Sequence, residues 1–186
     1  MNFEIAQREY FDHPYNDTIN NERAIEIPLA LRYIEKVKDL DTFIELGAVL
    51  PYYFENLKHS CIDPVDSKAT ISDYADNINY FKKHVLSIST LEHIGTHDYG
   101  LKANFKVNPY EVLKRIYEDC SSCLISWPIG YNSSLDEDFF NLDQFDCTCF
   151  IRINHNKWEE VQKNKLKLVK YNFPFCFGNG LVFVYK

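Results

Sequence analysis

The sequence predicts an α/β fold, with a mostly parallel central sheet, helices on both faces and one antiparallel strand at its C-terminal edge. Three observations carry that expectation. Strand-like and helix-like stretches alternate along the chain, the order that builds parallel sheets. The run TFIELGAVLPYY at Thr42–Tyr53 reads as one unit of such a sheet, a short apolar strand closed by Gly47 and a segment that packs back on it. Acidic or hydroxyl side chains then stand at the ends of consecutive strands, the edge at which open α/β sheets bind ligands.

Taken in order, Tyr10–Asn21 is a polar, aromatic lead-in whose last two asparagines cap a turn over Glu22–Glu26. Pro28 disfavours a helical Ile27 and removes a donor, so the main helix is expected from Pro28 to about Lys38. Leu31, Ile34 and Val37 make its apolar face. The strand Thr42–Gly47 leads to a helix at about Tyr52–Lys58, a second strand His59–Ile62 and a short third, Ala69–Ser72. His84–Thr90, apolar and β-branched, is the clearest strand. The loop Thr96–Asn108 is expected to serve as a lid. Pro109 then opens an amphipathic helix to Asp119, with Val112, Leu113 and Ile116 inward. Strands at Cys123–Trp127 and about Cys147–Ile153, a short helix at Lys157–Gln162 and a closing strand Leu181–Tyr185 complete the order.

With 186 residues the chain is read as one domain, residues 1–40 forming a helical lead-in. A formal net charge of −7 argues against a protein that wraps nucleic-acid phosphates. The densest basic stretch, Lys163–Lys170, is interleaved with apolar residues and reads as an edge segment. No stretch reaches the roughly 18 apolar residues needed to span a bilayer, and the N-terminus lacks a basic, then apolar leader. No membrane insertion and a cytoplasmic location are expected.

Cys120-Ser-Ser-Cys123 and Cys147-Thr-Cys149 together invite a four-thiolate zinc site. Their settings favour buried thiols instead. Cys123 opens the apolar run CLISW, and Cys147 and Cys149 alternate in DCTCFIRI, where free cysteine acts as a small hydrophobe. Cys61 and Cys176 add nothing to a metal case, and no metal is expected.

The strand ends carry the chemistry. The first ends in Glu45-x-Gly47, the second in Asp63 with Asp66 behind it, the third in Asp73-Tyr74, and the fourth in Ser87-x-Ser89 followed by Glu92-His93. Such a row suits a hydroxyl-rich and nitrogen-rich ligand, since a carboxylate accepts two ribose hydroxyls and a flat aromatic covers a ring. A pyrophosphate would need several glycines and free amides at a helix N-terminus, and the turn here is Gly47-Ala48-Val49-Leu50-Pro51. A ligand without phosphates fits better.

On these residues the sequence resembles the class I S-adenosylmethionine-dependent methyltransferases, which have a Rossmann-like fold. More narrowly, it is similar to small bacterial members associated with surface-glycan gene clusters. The resemblance runs over most of the chain, through YNDT and NER within 15–23, IELGAVLPYY at 44–53, IDPVD at 62–66, SISTLEHIG at 87–95, WPIGYN at 127–132 and Trp158-Glu159-Glu160. It implies S-adenosylmethionine as cofactor, with Glu45 and Gly47 at its methionine end and Asp63 or Asp66 on the ribose. Asp73 would take the adenine amine with Tyr74 beside the ring, and Ser87 to Ser89 would floor the sulfonium. The first loop departs from the pattern in having one glycine and Ala48 where relatives tend to carry a small polar residue. The glycine pair before the fifth strand is replaced by Asp119-Cys120-Ser121-Ser122.

If the acceptor is a sugar hydroxyl, a base helps. His93 is the candidate, with a pKa naturally suited to the task and a structural hydrogen bond as an equal alternative, and Glu92 is its partner or an acceptor contact. His97, Asp98 and Tyr99 in the lid, Tyr131 and Asn132 after the fifth strand, and Arg23 are candidate acceptor contacts. Tyr15 and Asn16 would fold over the cofactor or cap the first helix. The leading expectation is an O-methyltransferase for a sugar, nucleotide-sugar or glycan-linked acceptor, followed by a methyltransferase for another small molecule. The one-glycine loop supports the alternative of a non-catalytic cofactor- or partner-binding member, and a nicotinamide-dependent oxidoreductase is a remote fourth.

Overall fold

The computed structural model describes residues 10–101, 107–155 and 157–186. Its seven strands are β1 (Phe43–Leu46), β2 (Ser60–Ile62), β3 (His84–Ile88), β4 (Ser122–Pro128), β5 (Cys147–Asn154), β6 (Lys157–Val161) and β7 (Gly180–Tyr185). They form one sheet in the order β2-β1-β3-β4-β7-β5-β6. Three α-helices accompany them among the described residues, α1 (Arg23–Lys36), α2 (Pro109–Asp119) and α3 (Ser133–Asn141).

The expected mostly parallel, Rossmann-like sheet is corrected by the pairing. Only β1–β2, β1–β3 and β3–β4 are parallel. β4–β7, β7–β5 and β5–β6 are antiparallel, and on the whole these are the longer ladders. Strands also outnumber α-helices. One cause is local: Lys157–Val161, expected as a short helix, is a strand with Trp158 buried and Lys157, Glu159 and Glu160 exposed. It begins three residues after β5 ends, and so short a connection permits only an antiparallel return. The closing strand β7 lies between β4 and β5 rather than at the edge.

The proline expectation also fails, for a reason visible in the backbone. α1 runs unbroken through Pro28. The carbonyl of Ala24, which Pro28 has no N–H to bond, accepts instead from Phe11 N at 2.9 Å. The helix expected at Tyr52–Lys58 reduces to a 3-10 turn, Leu50–Tyr52, and the strand expected at Ala69–Ser72 to a single bridge between Ile62 and Ile71. α3 was not expected. Asn132 caps it, its Oδ1 accepting from Ser134 N and Leu135 N.

Two cores sandwich the sheet. On one face α1 places Ile27, Ala30 and Tyr33 against Phe43, Leu86, Phe150 and Trp158. On the other, Val112, Leu113 and Ile116 of α2 and Leu135 and Phe139 of α3 pack on Ile44, Val85, Ile125 and Val182. All six cysteines are free, four of them buried and Cys176 exposed. Among the described residues no helix is long and apolar enough to cross a membrane.

Candidate functional site

The parallel strands β2, β1 and β3 lie side by side and point their carboxyl ends at one edge. A cavity of about 1030 Å³ opens there, lined by residues that follow those strands: Gly47 to Val49, Asp63 to Ser67, and Ser89 with Thr90. Asp73, Tyr74 and Asp76 extend one wall, His93 and Tyr99 the other, and Tyr15, Asn16 and Arg23 close it from the N-terminal side. Four aspartates thus line it together with Arg23, the only Lys or Arg among the described residues that does so. Arg23 is itself paired with the buried Glu26. The cavity favours a cationic or hydroxyl-bearing ligand over a polyanion.

Gly47 explains how one glycine suffices for the first turn. Its φ is +78°, and a Cβ there would lie 2.2 Å from Thr90 Oγ1. Thr90 is anchored in turn by donating to Leu46 O and Ile88 O at 3.1 Å each. The glycine therefore lets the β1 and β3 ends approach, and its own N–H is used by Ile62 O at 2.9 Å. Glu45, placed at the ligand by the resemblance, does not line the cavity and is fully buried. Its Oε1 accepts from Val49 N at 3.0 Å and Leu50 N at 2.9 Å, so it holds the loop from behind.

The aspartates differ in what they have left to offer. Asp63 Oδ1 accepts from Val65 N and Asp66 N, and its Oδ2 has no hydrogen-bond partner among the described residues. Asp66 is more fully engaged, by the Tyr52 hydroxyl at 3.0 and 3.1 Å and by Lys68 N. Of the two ribose candidates Asp63 is the freer. Asp73 accepts from Asn77 Nδ2 and Tyr74 N through Oδ1, and those bonds hold its carboxyl below the usual range. Tyr74 is half exposed beside it. Tyr15 stacks on Tyr52, ring centroids 4.9 Å apart and 6° from coplanar, so the lead-in does fold against the cavity mouth.

Ser87 and Ser89 separate. Ser87 is buried, away from the cavity, and its Oγ has no hydrogen-bond partner among the described residues. Ser89 lines the cavity but donates its hydroxyl to Glu26 Oε1 at 2.7 Å, beside Ser126 Oγ at 2.6 Å.

His93 sits in the 3-10 turn Leu91–His93 directly after β3. Its Nδ1 donates to Asp98 Oδ2 at 2.8 Å, and Asp98 also accepts from Thr96 Oγ1 at 2.6 Å and Tyr131 OH at 3.0 Å. Burial lowers the His93 pKa against the opposing pull of Asp98. The neutral tautomer with its proton on Nδ1 is thereby favoured, leaving Nε2 as a lone-pair acceptor. Nε2 lies 3.4 Å from Tyr99 OH and 3.8 Å from Glu92 Oε1. Although burial resists the charge on Asp98, the bonds from Thr96, His93 and Tyr131 hold its pKa below the usual value. Glu92 is different: burial pushes its carboxyl well up, and it does not line the cavity.

The remaining candidates are set back. Tyr131 does not line the cavity; it packs edge-on against His93 at 4.8 Å and donates to Asp98. Asn132 donates to Glu92 O and Ile94 O while capping α3, a clasp between two loops. His97 is exposed and outside the cavity. Of the lid Thr96–Asn108, residues 102–106 lie outside the described residues, while Thr96, Tyr99, Leu101 and Val107 line the cavity. Thr90, Asp76 and the orienting role of Asp98 escaped sequence reading. Only the closeness of Asp98 to His93 along the chain hinted at the last. No protein-family model, curated protein or solved structure matches the chain.

Proposed function

We propose that the chain is an S-adenosylmethionine-dependent O-methyltransferase, working in the cytoplasm on a sugar, nucleotide-sugar or glycan-linked hydroxyl. The observation that carries the reading is the His93–Asp98 pair opening onto an acidic cavity at the ends of β1, β2 and β3. The residues fit the cofactor's chemistry. Acidic walls favour its cationic sulfonium and amine, Asp63 Oδ2 has no partner among the described residues and suits a ribose hydroxyl, and Tyr74 offers a flat face near Asp73. At about 1030 Å³ the cavity has room for a nucleoside-sized ligand together with an acceptor. When bound, the cofactor supplies an activated methyl group.

Catalysis of such a transfer is mostly positioning. His93 Nε2 accepts the proton of the acceptor hydroxyl as its oxygen attacks, and Asp98 fixes the tautomer and steadies the imidazolium that forms. The second reading, a binding protein without turnover, is favoured by the Gly47 N–H and the Glu45 carboxylate both being spent inside the protein. Titration calorimetry with S-adenosylmethionine and NAD tests the proposal. Saturable binding of the methyl donor, and none of NAD, is expected; absence of donor binding at high micromolar concentrations removes it.

A further inference from the structure

Behind the Gly47 loop, on the face of the sheet that carries α1, three side chains of different chemistry converge. Glu45 in β1 pairs across the ladder with Cys61 in β2, so both project to the same side. His59, two residues before Cys61, shares that side and packs its ring 5.3 Å from Phe43. Glu45 Oε2 lies 2.5 Å from His59 Nε2 and 3.4 Å from Cys61 Sγ, and Sγ lies 3.2 Å from the same Nε2. All three side chains are essentially removed from solvent.

A nucleophilic triad would use the two imidazole nitrogens separately. Here both neighbours approach Nε2, and Nδ1 is buried with no hydrogen-bond partner among the described residues. The ring's polar contacts among the described residues are thus those of Nε2, and one hydrogen bond is a poor return for burying the other nitrogen. An oxygen, a nitrogen and a sulfur meeting at one point are instead the mixed donor set of a borderline-soft cation. Glu45 Oε1 is already fixed by Val49 N and Leu50 N, which leaves Oε2 oriented toward the other two donors.

We propose that Glu45, His59 and Cys61 form a binding site for one divalent cation, zinc(II) foremost. On binding, the thiol proton of Cys61 leaves to solvent as the sulfur–metal bond forms, and neutral His59 binds through Nε2. Carboxylate, thiolate and dication then sum to no net charge, which suits so buried a site. The three donors are one short of a closed tetrahedral shell, so a small exogenous ligand completes it. The ion ties the start of β2 to the carboxylate that holds the cavity loop. Because the site is enclosed, it is filled as the chain folds. The inference does not rest on the methyl-transfer reading.

The test is the metal content of ligand-free protein, produced in zinc- or cobalt-supplemented minimal medium and purified without chelators. About one zinc per chain is expected, with a thiolate-to-cobalt charge-transfer band in the cobalt-grown protein. Cys61→Ser and His59→Gln should each lower zinc content about tenfold or more and remove the band, while Cys176→Ser, at an exposed thiol, should leave both. Wild-type protein with no stoichiometric metal overturns the proposal. So does metal retained equally in both site variants, which would place it elsewhere. If neither variant folds by circular dichroism, the wild-type spectrum decides: bound cobalt without a thiolate band sinks the site.

Discussion

The two halves of the sheet use the same kind of strand to different ends. In β2-β1-β3 the strands are parallel, so their carboxyl ends meet at one edge and the loops that leave them converge. Gly47, Asp63 and the segment Ser89–His93 meet there although the three stretches are far apart in sequence. In β4-β7-β5-β6 the directions alternate, so ends of both kinds share each edge. Its buried polar groups hold the protein together. Arg152 donates to Asn20 O, His155 O and Cys176 O, and Asp136 accepts from Trp127 Nε1 and Gly130 N. Strand direction, more than strand composition, separates the half that can bind from the half that braces.

Changes in the two halves should therefore be felt in different measurements. The largest effect is expected at His93→Ala, which should lower turnover by roughly 10²–10⁴-fold while donor affinity changes little. An equal loss of binding and turnover would make His93 a structural residue. In wild type the rate should rise with pH through a value below the ordinary histidine pKa, because burial lowers it and only a neutral imidazole can accept the proton.

Next in size is an effect on stability from the bracing half. Burial raises the Asp136 carboxyl to about 6 from 3.8, against the pull of Gly130 N and Trp127 Nε1. With the folded pKa above the unfolded one, its contribution is fully present below about pH 3.8 and is lost as pH rises through about 6. The loss amounts to about 3 kcal/mol by neutral pH. Chemical denaturation of wild type and Asp136→Asn between pH 4 and 8 should show the variant lacking that slope, with donor affinity unchanged. Parallel slopes would refute it.

The smallest expected effect lies at the join of β1 and β3. Gly47→Ala should destabilise by roughly 1–3 kcal/mol, since the new Cβ meets Thr90 Oγ1 in a left-handed backbone. It should also weaken donor binding. Adding Thr90→Ala should recover part of the loss, and failure to do so would mean that the backbone conformation alone is responsible.

Local chemistry was readable in the chain because local chemistry produces it. The β-branched run at His84, the helix opened by Pro109 and the glycine after β1 each follow from a few adjacent residues, and the structure contains all three. The acidic edge was readable too, since Asp63 and Asp66 sit close behind β2, Asp73 follows the Ile71 bridge, and all three line one cavity. What adjacency does not encode is partnership at long range. Pro28 looked like a helix breaker until Phe11 supplied the donor that Ala24 O lacks. Trp158 read as helical, yet only the core under β5 and β7 makes it the inward residue of an edge strand. Glu45 looked like a ligand residue from its place beside Gly47, and the fold turned it toward His59 and Cys61 instead. Strand direction belongs to the same class. It depends on which ladders close across the whole sheet, and on what covers each face, so it was settled by packing between residues distant in the chain.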